Sequence, residues 1–271
     1  MIWALFSVLS GLGDAISFAA IKKLKNLNPF LTMTILNLSV LPLIALGLLI
    51  FGLPSVPNSF YAIVLINCVI FLLAQYLIIQ ALKSADLSVA VPMLSFTPVF
   101  SILTSYFLLN ELPKFYGFIG IVLVVAGAYA LNSVKASKSI LEPFMLLIKN
   151  KSVMQMFLVS FLFSITAVLA KKAIILSNPG YFMFMQYLVE SVILVLLFHR
   201  KIKDGIGDFR KNIINFSTYA VAVSFSEILI AIAFTISIVP YAISLKRTSI
   251  IFSVLIGFLF FKEKNFKHSI I

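Results

Sequence analysis

Long apolar runs separated by short polar joints make up almost the whole chain. Each run has 18 or more residues, enough for an α-helix to cross about 30 Å of hydrocarbon. Turn and breaker residues such as Asn28-Pro29, Asn178-Pro179 and Pro240 stand between them. The pattern predicts an all-α polytopic membrane protein with nine spans, at about residues 2–21, 30–51, 60–82, 87–109, 115–132, 153–175, 180–198, 216–238 and 239–261.

The same pattern occurs twice along the chain. Residues 96–112 align with residues 248–264 at an offset of 152, so that Ser101 corresponds to Ser253 and Glu111 to Glu263. Five predicted spans precede the seam, and an odd number of spans places the second copy upside down. We therefore predict two inverted repeats, residues 1–132 and 153–271, joined by a linker at residues 133–152. Inverted repeats are typical of secondary transporters.

The second repeat is shorter than the first. A counterpart of the fifth span is expected near residues 267–284, but the sequence stops at Ile271. Either a tenth helix is missing or the protein has nine spans naturally. Residues from Phe266 onward begin another helical pattern, which favours a missing tenth helix.

Composition and charge narrow the class of protein to which the chain can belong. A hydrophobic fraction of 62% and a charged fraction of 11% exclude an ordinary soluble domain. The single cysteine, Cys68, excludes an internal disulfide and a cysteine-based metal site. His199 and His268 lie in predicted loops, and no metal or cofactor is expected. The expected partners are the bilayer and a small-molecule substrate, and a homodimer stays open. No nucleic acid is expected, because the basic residues lie in short loops between spans.

With these features the chain resembles the EamA family of the drug/metabolite transporter superfamily. The resemblance rests on the doubled five-span unit and on Glu111, Glu263, Ser101, Ser253, Lys171-Lys172, Asn178-Pro179 and the basic segment at residues 242–249. It covers essentially the whole chain, although none of these motifs is specific alone. It implies a ten-helix exporter or exchanger of small metabolites with a central cavity in the cell membrane. It does not imply a particular substrate.

The orientation of the chain can be argued from its lysines and arginines. Sixteen of the 21 lie in gaps after odd-numbered spans, and three lie in gaps after even-numbered spans. The positive-inside rule therefore predicts that the N-terminus is outside. The family resemblance implies a cytoplasmic N-terminus, so the two arguments disagree.

Five ionisable residues lie well inside the predicted spans: Asp14, Glu190, Glu227, Lys246 and Arg247. A charge near the bilayer centre costs ~2.5–3.5 kcal/mol on insertion scales, so such residues normally face a partner or a wet cavity. Glu190, Glu227 and Arg247 are expected at similar depth on consecutive spans. Two interpretations remain open, a structural salt bridge and a substrate or coupling-ion site, and the second is favoured.

Helical geometry suggests roles within this cluster. Glu227 lies on a stripe of small and polar residues and is the candidate for an unpaired carboxylate that carries a proton. Arg247 is expected to bond to Glu190, to Glu227 or to a substrate carboxylate or phosphate. Lys246 shares a helix face with Ser249 and Ser253, which indicates a packing seam.

Several further polar residues fall at informative positions. Gln186 lies one turn before Glu190, and Gln75 is the repeat-equivalent of Glu227. Either amide could serve a pathway or an interhelical hydrogen bond. Glu111 and Glu263 are expected to cap helices or to pair with loops. Lys22 and Lys171 are expected to extend towards the membrane surface, and Tyr219 to belong to an interfacial aromatic belt.

The favoured function is secondary active transport of a small polar metabolite, such as an amino acid, a sugar or a drug-like compound. Export or exchange by alternating access is expected. The alternatives are a lipid-linked sugar flippase-like protein and a non-transporting scaffold. A membrane enzyme is disfavoured, because the predicted spans carry no metal-ligating motif and no Ser/His arrangement.

Overall fold

A computed structural model describes residues 2–133 and 150–261. The elements, numbered as spans in chain order, are Ile2–Lys23, Pro29–Phe51, Asn58–Ser84, Leu87–Leu109, Phe115–Ser133, Lys151–Leu176, Pro179–Lys211, Ile213–Ile236 and Val239–Phe261. Within these described residues, eight helices are long and apolar enough to cross a membrane, and the fifth has a shorter apolar part, Phe115–Gly127. The prediction of an all-α polytopic membrane protein is confirmed. Most of the predicted linker and the expected start of a tenth helix lie outside the described residues.

The second span of each repeat begins at an Asn-Pro joint. Asn28 Oδ1 accepts a hydrogen bond from the backbone N of Phe30 at 3.0 Å. Asn178 Oδ1 accepts one from the backbone N of Tyr181 at 2.8 Å. The asparagine satisfies a free backbone donor at the helix start, and the following proline has no such donor to satisfy. The Asn-Pro sequence therefore predicts these helix starts for a physical reason, the capping bond of the asparagine and the missing N–H of the proline.

Spans 4 and 9 are broken at equivalent positions of the two repeats. Span 4 changes from an α-helix to a 3₁₀-helix at Val91–Phe96. Pro92 explains this change, because it has no N–H for the helix ladder. Span 9 consists of two helices, Val239–Lys246 and Ser249–Phe261, separated at Arg247-Thr248. Pro98 does not break span 4, because it lies in the first turn of the following helix, Thr97–Leu109.

The charged stretch at the end of span 7, which follows the apolar part Pro179–Phe198, is helical. The sequence predicted a loop at residues 199–215, but the helix that begins at Pro179 continues to Lys211. Its one non-helical residue is Phe198, where the helix kinks at φ −124° and ψ 16°. The prediction was wrong because charged residues end a membrane span without ending a helix.

Span 1 packs closely on spans 8 and 9 through two glycines. A Cβ atom added at Gly11 would lie 2.6 Å from the Lys246 carbonyl oxygen, and one at Gly13 would lie 2.7 Å from the Ala222 carbonyl oxygen. Both neighbours are backbone atoms, which cannot move without moving a helix. The two glycines therefore set the distance between these spans.

We expect Gly11→Ala to lower the free energy of unfolding by about 1–3 kcal/mol, because it overpacks this contact. Thermal unfolding of the purified protein in detergent measures the change. Gly120→Ala is the matched control, because a Cβ atom there meets nothing within 4 Å. Equal stability of the two variants would contradict the close contact.

Candidate functional site

A central cavity of about 110 Å³ lies between the two repeats. Spans 1 and 3 of the first repeat and spans 6, 7, 8 and 9 of the second form its walls. This volume exceeds what a single water needs several times over. Polar lining residues are Asp14, Ser17, Asn67, Gln75, Thr166, Gln186, Tyr187, Tyr219, Glu227, Lys246 and Arg247. The remaining wall is apolar and includes Phe71 and Phe163.

One lysine joins two carboxylates on this wall. Lys246 Nζ lies 3.3 Å from Asp14 Oδ1 and 3.2 Å from Glu227 Oε1. The ion pairs connect span 9 with spans 1 and 8. Two predictions are thereby corrected, since Lys246 is not part of a packing seam and Glu227 is not unpaired. The packing-seam prediction assumed a continuous ninth helix, whereas the helix ends at Lys246 and the shared face with Ser249 is lost. The Glu227 prediction rested on its face of span 8, and helical spacing does not show that one lysine contacts two carboxylates.

Serine side chains hold Asp14 in place. Ser226 Oγ donates a hydrogen bond to Asp14 Oδ1 at 2.6 Å. The hydroxyl oxygens of Ser10 and Ser226 are 2.9 Å apart. Ser10, Asp14 and Ser226 are all buried. Asp14 is therefore fixed by span 8 from one side and by Lys246 from the other.

Arg247 lies on the cavity wall without a counter-ion in contact. Its side chain forms no ion pair within 4 Å among the described residues, and only 4% of the residue is exposed. Its Nε atom is buried and has no hydrogen-bond partner among the described residues. The predicted bonds to Glu190 and Glu227 are absent: Glu227 contacts Lys246, and Glu190 contacts Gln186 behind the cavity wall. The guanidinium group therefore lies on the cavity wall without a carboxylate in contact.

Glu190 lies behind the cavity wall and has no exposed surface. Its Oε1 accepts a hydrogen bond from Gln186 Nε2 at 3.0 Å, and Gln186 Oε1 accepts one from Asn67 Nδ2 at 3.1 Å. Its Oε2 has no hydrogen-bond partner in the described part of the chain. No described cation lies within ion-pair distance. Glu190, rather than Glu227, is thus the carboxylate without a counter-ion.

Gln75 connects three spans by hydrogen bonds. Its Oε1 accepts a bond from Asn37 Nδ2 at 2.7 Å, and its Nε2 donates one to Tyr219 Oη at 3.4 Å. Tyr219 lines the cavity and is 5% exposed, so its assignment to an interfacial belt was wrong. Tyr219 lies six residues after Ile213, the first residue of span 8. A position so near the start of a span is also typical of an interfacial tyrosine, so the sequence did not distinguish the two.

The model of the EamA-like transporter family matches residues 1–133, which coincide with the predicted first repeat. This part of the chain belongs to the EamA-like transporter family. This family is part of the drug/metabolite transporter superfamily. No curated protein matches the chain. Family membership and the apolar helices together make it a multi-pass membrane protein of a transporter family.

In this EamA-like chain, Glu111 forms an ion pair with a lysine and also caps the start of a helix. Its Oε1 lies 2.5 Å from Lys171 Nζ, and its Oε2 accepts a hydrogen bond from the Val239 backbone N at 3.2 Å. Asn110, with φ 53°, ends span 4 in a left-handed turn that presents Glu111 to these partners. Glu111 therefore contacts span 6 and the start of span 9, and its structural role stays a prediction. Glu263 lies outside the described residues.

Lys171 does not extend to the membrane surface. It is 7% exposed, and besides Glu111 it contacts the Ser237 carbonyl oxygen at 2.6 Å. The prediction was wrong because a lysine near a helix end snorkels only where that end faces lipid or headgroups. Here span 9 and the joint before it cover the end of span 6.

The cavity and network residues that were missed from the sequence include Asn37, Asn67, Tyr187 and Ser226. Asn37 and Asn67 stand alone in the middle of apolar runs, a signal that could have identified them. Tyr187 and Ser226 carry no comparable signal, because tyrosine and serine are tolerated in packed membrane helices. Their roles depend on which helix faces meet.

Proposed function

We propose that this EamA-like protein is a secondary active transporter of a small polar metabolite in the cell membrane, with the central cavity as its substrate site. The observation that carries the proposal is Arg247, a buried cation on the cavity wall without a contacting counter-ion. An unpaired buried charge is costly. A carboxylate or phosphate of a bound substrate offsets that cost through charge-assisted hydrogen bonds.

The rest of the cavity supports a substrate with both a polar and an apolar part. Asp14 and Glu227 are both in contact with Lys246, so Arg247 is the described cavity cation that has no contacting carboxylate and remains for an anionic group. Phe71, Phe163 and other apolar side chains form much of the wall. A small metabolite with a negatively charged group and an apolar portion fits this arrangement.

The position of the cavity supports transport by alternating access. Both repeats contribute walls, and inverted repeats commonly place substrate sites near the midplane at their interface. Spans 4 and 9 are broken at equivalent positions, and the break in span 9 carries Arg247. Broken helices of this kind line cavities in membrane transporters. Movement of one repeat against the other would expose the site to one side at a time, in export or exchange.

Glu190 is the candidate for coupling to protons. An ionised carboxylate with no exposed surface and no cation is expensive to bury, so the protonated form is favoured in this conformation. Glu227 is the ionisable residue that acts electrostatically on Glu190, and Glu190 in turn lies close enough to Cys68, Tyr187 and Tyr219 to act on them. Rearrangement of Gln186, which contacts both Glu190 and the cavity, would connect substrate binding with release of this proton.

Proteoliposomes test both parts of the proposal. Small carboxylates and phosphates, including amino acids, are first screened by stabilisation of the purified protein; a ligand at 100 times its Kd adds about 2.7 kcal/mol. Radiolabelled hits are then followed into vesicles with and without a pH gradient. We expect the gradient to drive accumulation by the wild type. Glu190→Gln should transport downhill without gradient-driven accumulation.

Ala167→Trp is the control, because it places a large side chain on the cavity wall and should abolish both stabilisation and uptake. Wild-type uptake in Ala167→Trp would show that the cavity is not the pathway. Gradient-driven accumulation by Glu190→Gln would remove Glu190 from coupling while leaving the substrate site intact.

A further inference from the structure

Two lysines occupy equivalent positions at the two ends of the cavity. Ile21-Lys22-Lys23 of span 1 corresponds to Ala170-Lys171-Lys172 of span 6. Ile21 and Ala170 both line the cavity, so each lysine lies one residue beyond it. Lys22 contacts Asp86, directly before span 4, whereas Lys171 contacts Glu111 at the other end of span 4. Lys22 and Lys171 therefore lie towards opposite faces of the membrane.

At one face, Lys171 joins three spans. Its Nζ pairs with Glu111 at the end of span 4 and donates to the Ser237 carbonyl oxygen before span 9. Glu111 also accepts from the backbone N of Val239, the first residue of span 9. We call these contacts the Lys171 latch. It holds the end of span 4 and the start of span 9 over the cavity.

At the other face, Lys22 makes the equivalent connection. Its Nζ lies 3.1 Å from Asp86 Oδ1, directly before span 4, and 5.2 Å from the centre of the Phe261 ring at the end of span 9. We call these contacts the Lys22 latch. It holds the start of span 4 and the end of span 9.

Each broken helix thus has one end in each latch and its break between them. Span 4 runs from Asp86 in the Lys22 latch to Glu111 in the Lys171 latch, and its 3₁₀ segment lies between. Span 9 runs from Val239 to Phe261 in the opposite order, with the break after Lys246. Release of one latch frees one half of each helix, while the other half stays fixed.

We propose that the Lys171 and Lys22 latches close the cavity at opposite membrane faces and that their alternating release opens it to one face at a time. This inference rests on the proposed transport function, but its test does not require a substrate. A broken helix bends at its weakest hydrogen-bonded segment, so the halves of spans 4 and 9 move separately. Lys22 and Lys171 act as positioning residues and need no contact with substrate.

Thiol labelling from each membrane face tests the latches. The native thiol is removed by Cys68→Ser, and a reporter thiol is placed on the cavity wall by Ala167→Cys. A membrane-impermeant maleimide is applied to vesicles of both orientations. We expect Lys171→Met to raise the labelling rate about tenfold from the Lys171 face only, as loss of roughly 1.4 kcal/mol of closure would. Lys22→Met, the matched variant, should raise it from the opposite face only.

Glu111→Gln provides a second variant that keeps Lys171 and the size of the side chain. It should act from the same face as Lys171→Met. Exchange of the two charges by Glu111→Lys with Lys171→Glu should restore slow labelling in part, because it keeps the ion pair but loses the hydrogen bonds with the Val239 backbone N and the Ser237 carbonyl oxygen. Unchanged rates, or faster labelling from the same face in both lysine variants, would overturn the latch proposal. Normal face-specific labelling without any transport would instead refute the proposed function.

Discussion

Lys246→Met is expected to lower the free energy of unfolding by about 3–5 kcal/mol, because it leaves the buried Asp14 and the partly buried Glu227 without a contacting cation. Asp14 and Glu227 both pair with the Lys246 ammonium group, and both lie on the wall of the central cavity. Methionine retains the length of the side chain but supplies no charge. Spans 1, 8 and 9 lose the contact that joins them. Thermal unfolding in detergent, followed by loss of the monodisperse species, measures the effect.

The same experiment has an internal rescue and a control. Asp14→Asn with Glu227→Gln removes both negative charges and should restore most of the stability of Lys246→Met. Lys172→Met removes an exposed lysine on span 6 and should change the stability little. A Lys246→Met variant as stable as the wild type would show that these ion pairs do not hold the spans together.

Arg247→Gln is expected to abolish effective transport without loss of stability. Arg247 follows Lys246 directly and has the same charge, but its side chain pairs with no described carboxylate. Its removal therefore leaves no buried anion unpaired. Loss of a charge-assisted hydrogen bond to an anionic substrate should weaken binding roughly 10- to 100-fold. Substrate-induced thermal stabilisation and uptake into proteoliposomes measure the loss.

The two neighbouring variants give opposite results if the assignments are right. Lys246→Met reduces stability, whereas Arg247→Gln keeps it and loses affinity. Wild-type affinity in Arg247→Gln would exclude the arginine from the substrate site. A loss of stability similar to that of Lys246→Met would assign Arg247 a structural role instead.

The architecture could be predicted because its signals are local. Each span is a run of apolar residues, and joints such as Asn28-Pro29 and Asn178-Pro179 contain both the capping side chain and the proline that begins the next helix. The break in span 4 also has a local cause in Pro92. The charged extension of the helix to Lys211 was missed. Charged residues indicate where a helix leaves the membrane, but they do not indicate where the helix ends.

The candidate site could be predicted only as a set of residues. Asp14, Glu227, Lys246, Arg247, Gln75 and Gln186 were identified as polar positions inside spans, and the structure brings all of them to one cavity. Their partners were not predictable from helical spacing. No proline at the break after Lys246 indicates it in the sequence. Because of this break, Lys246 rather than Arg247 contacts the carboxylates. Glu190 was expected with them, but it lies behind the cavity wall.

The pairing of Asp14 with Lys246 has a consequence for biosynthesis. Span 1 leaves the ribosome first, whereas Lys246 and Ser226 belong to the last spans described. At a synthesis rate of about 5–20 residues per second, Asp14 is made roughly 10–50 s before Lys246. During that time it must keep water, a lipid headgroup or a helper protein beside it. Assembly of the bundle is therefore completed only after both halves have been inserted, and quality control would detect an unfinished chain by this exposed acid.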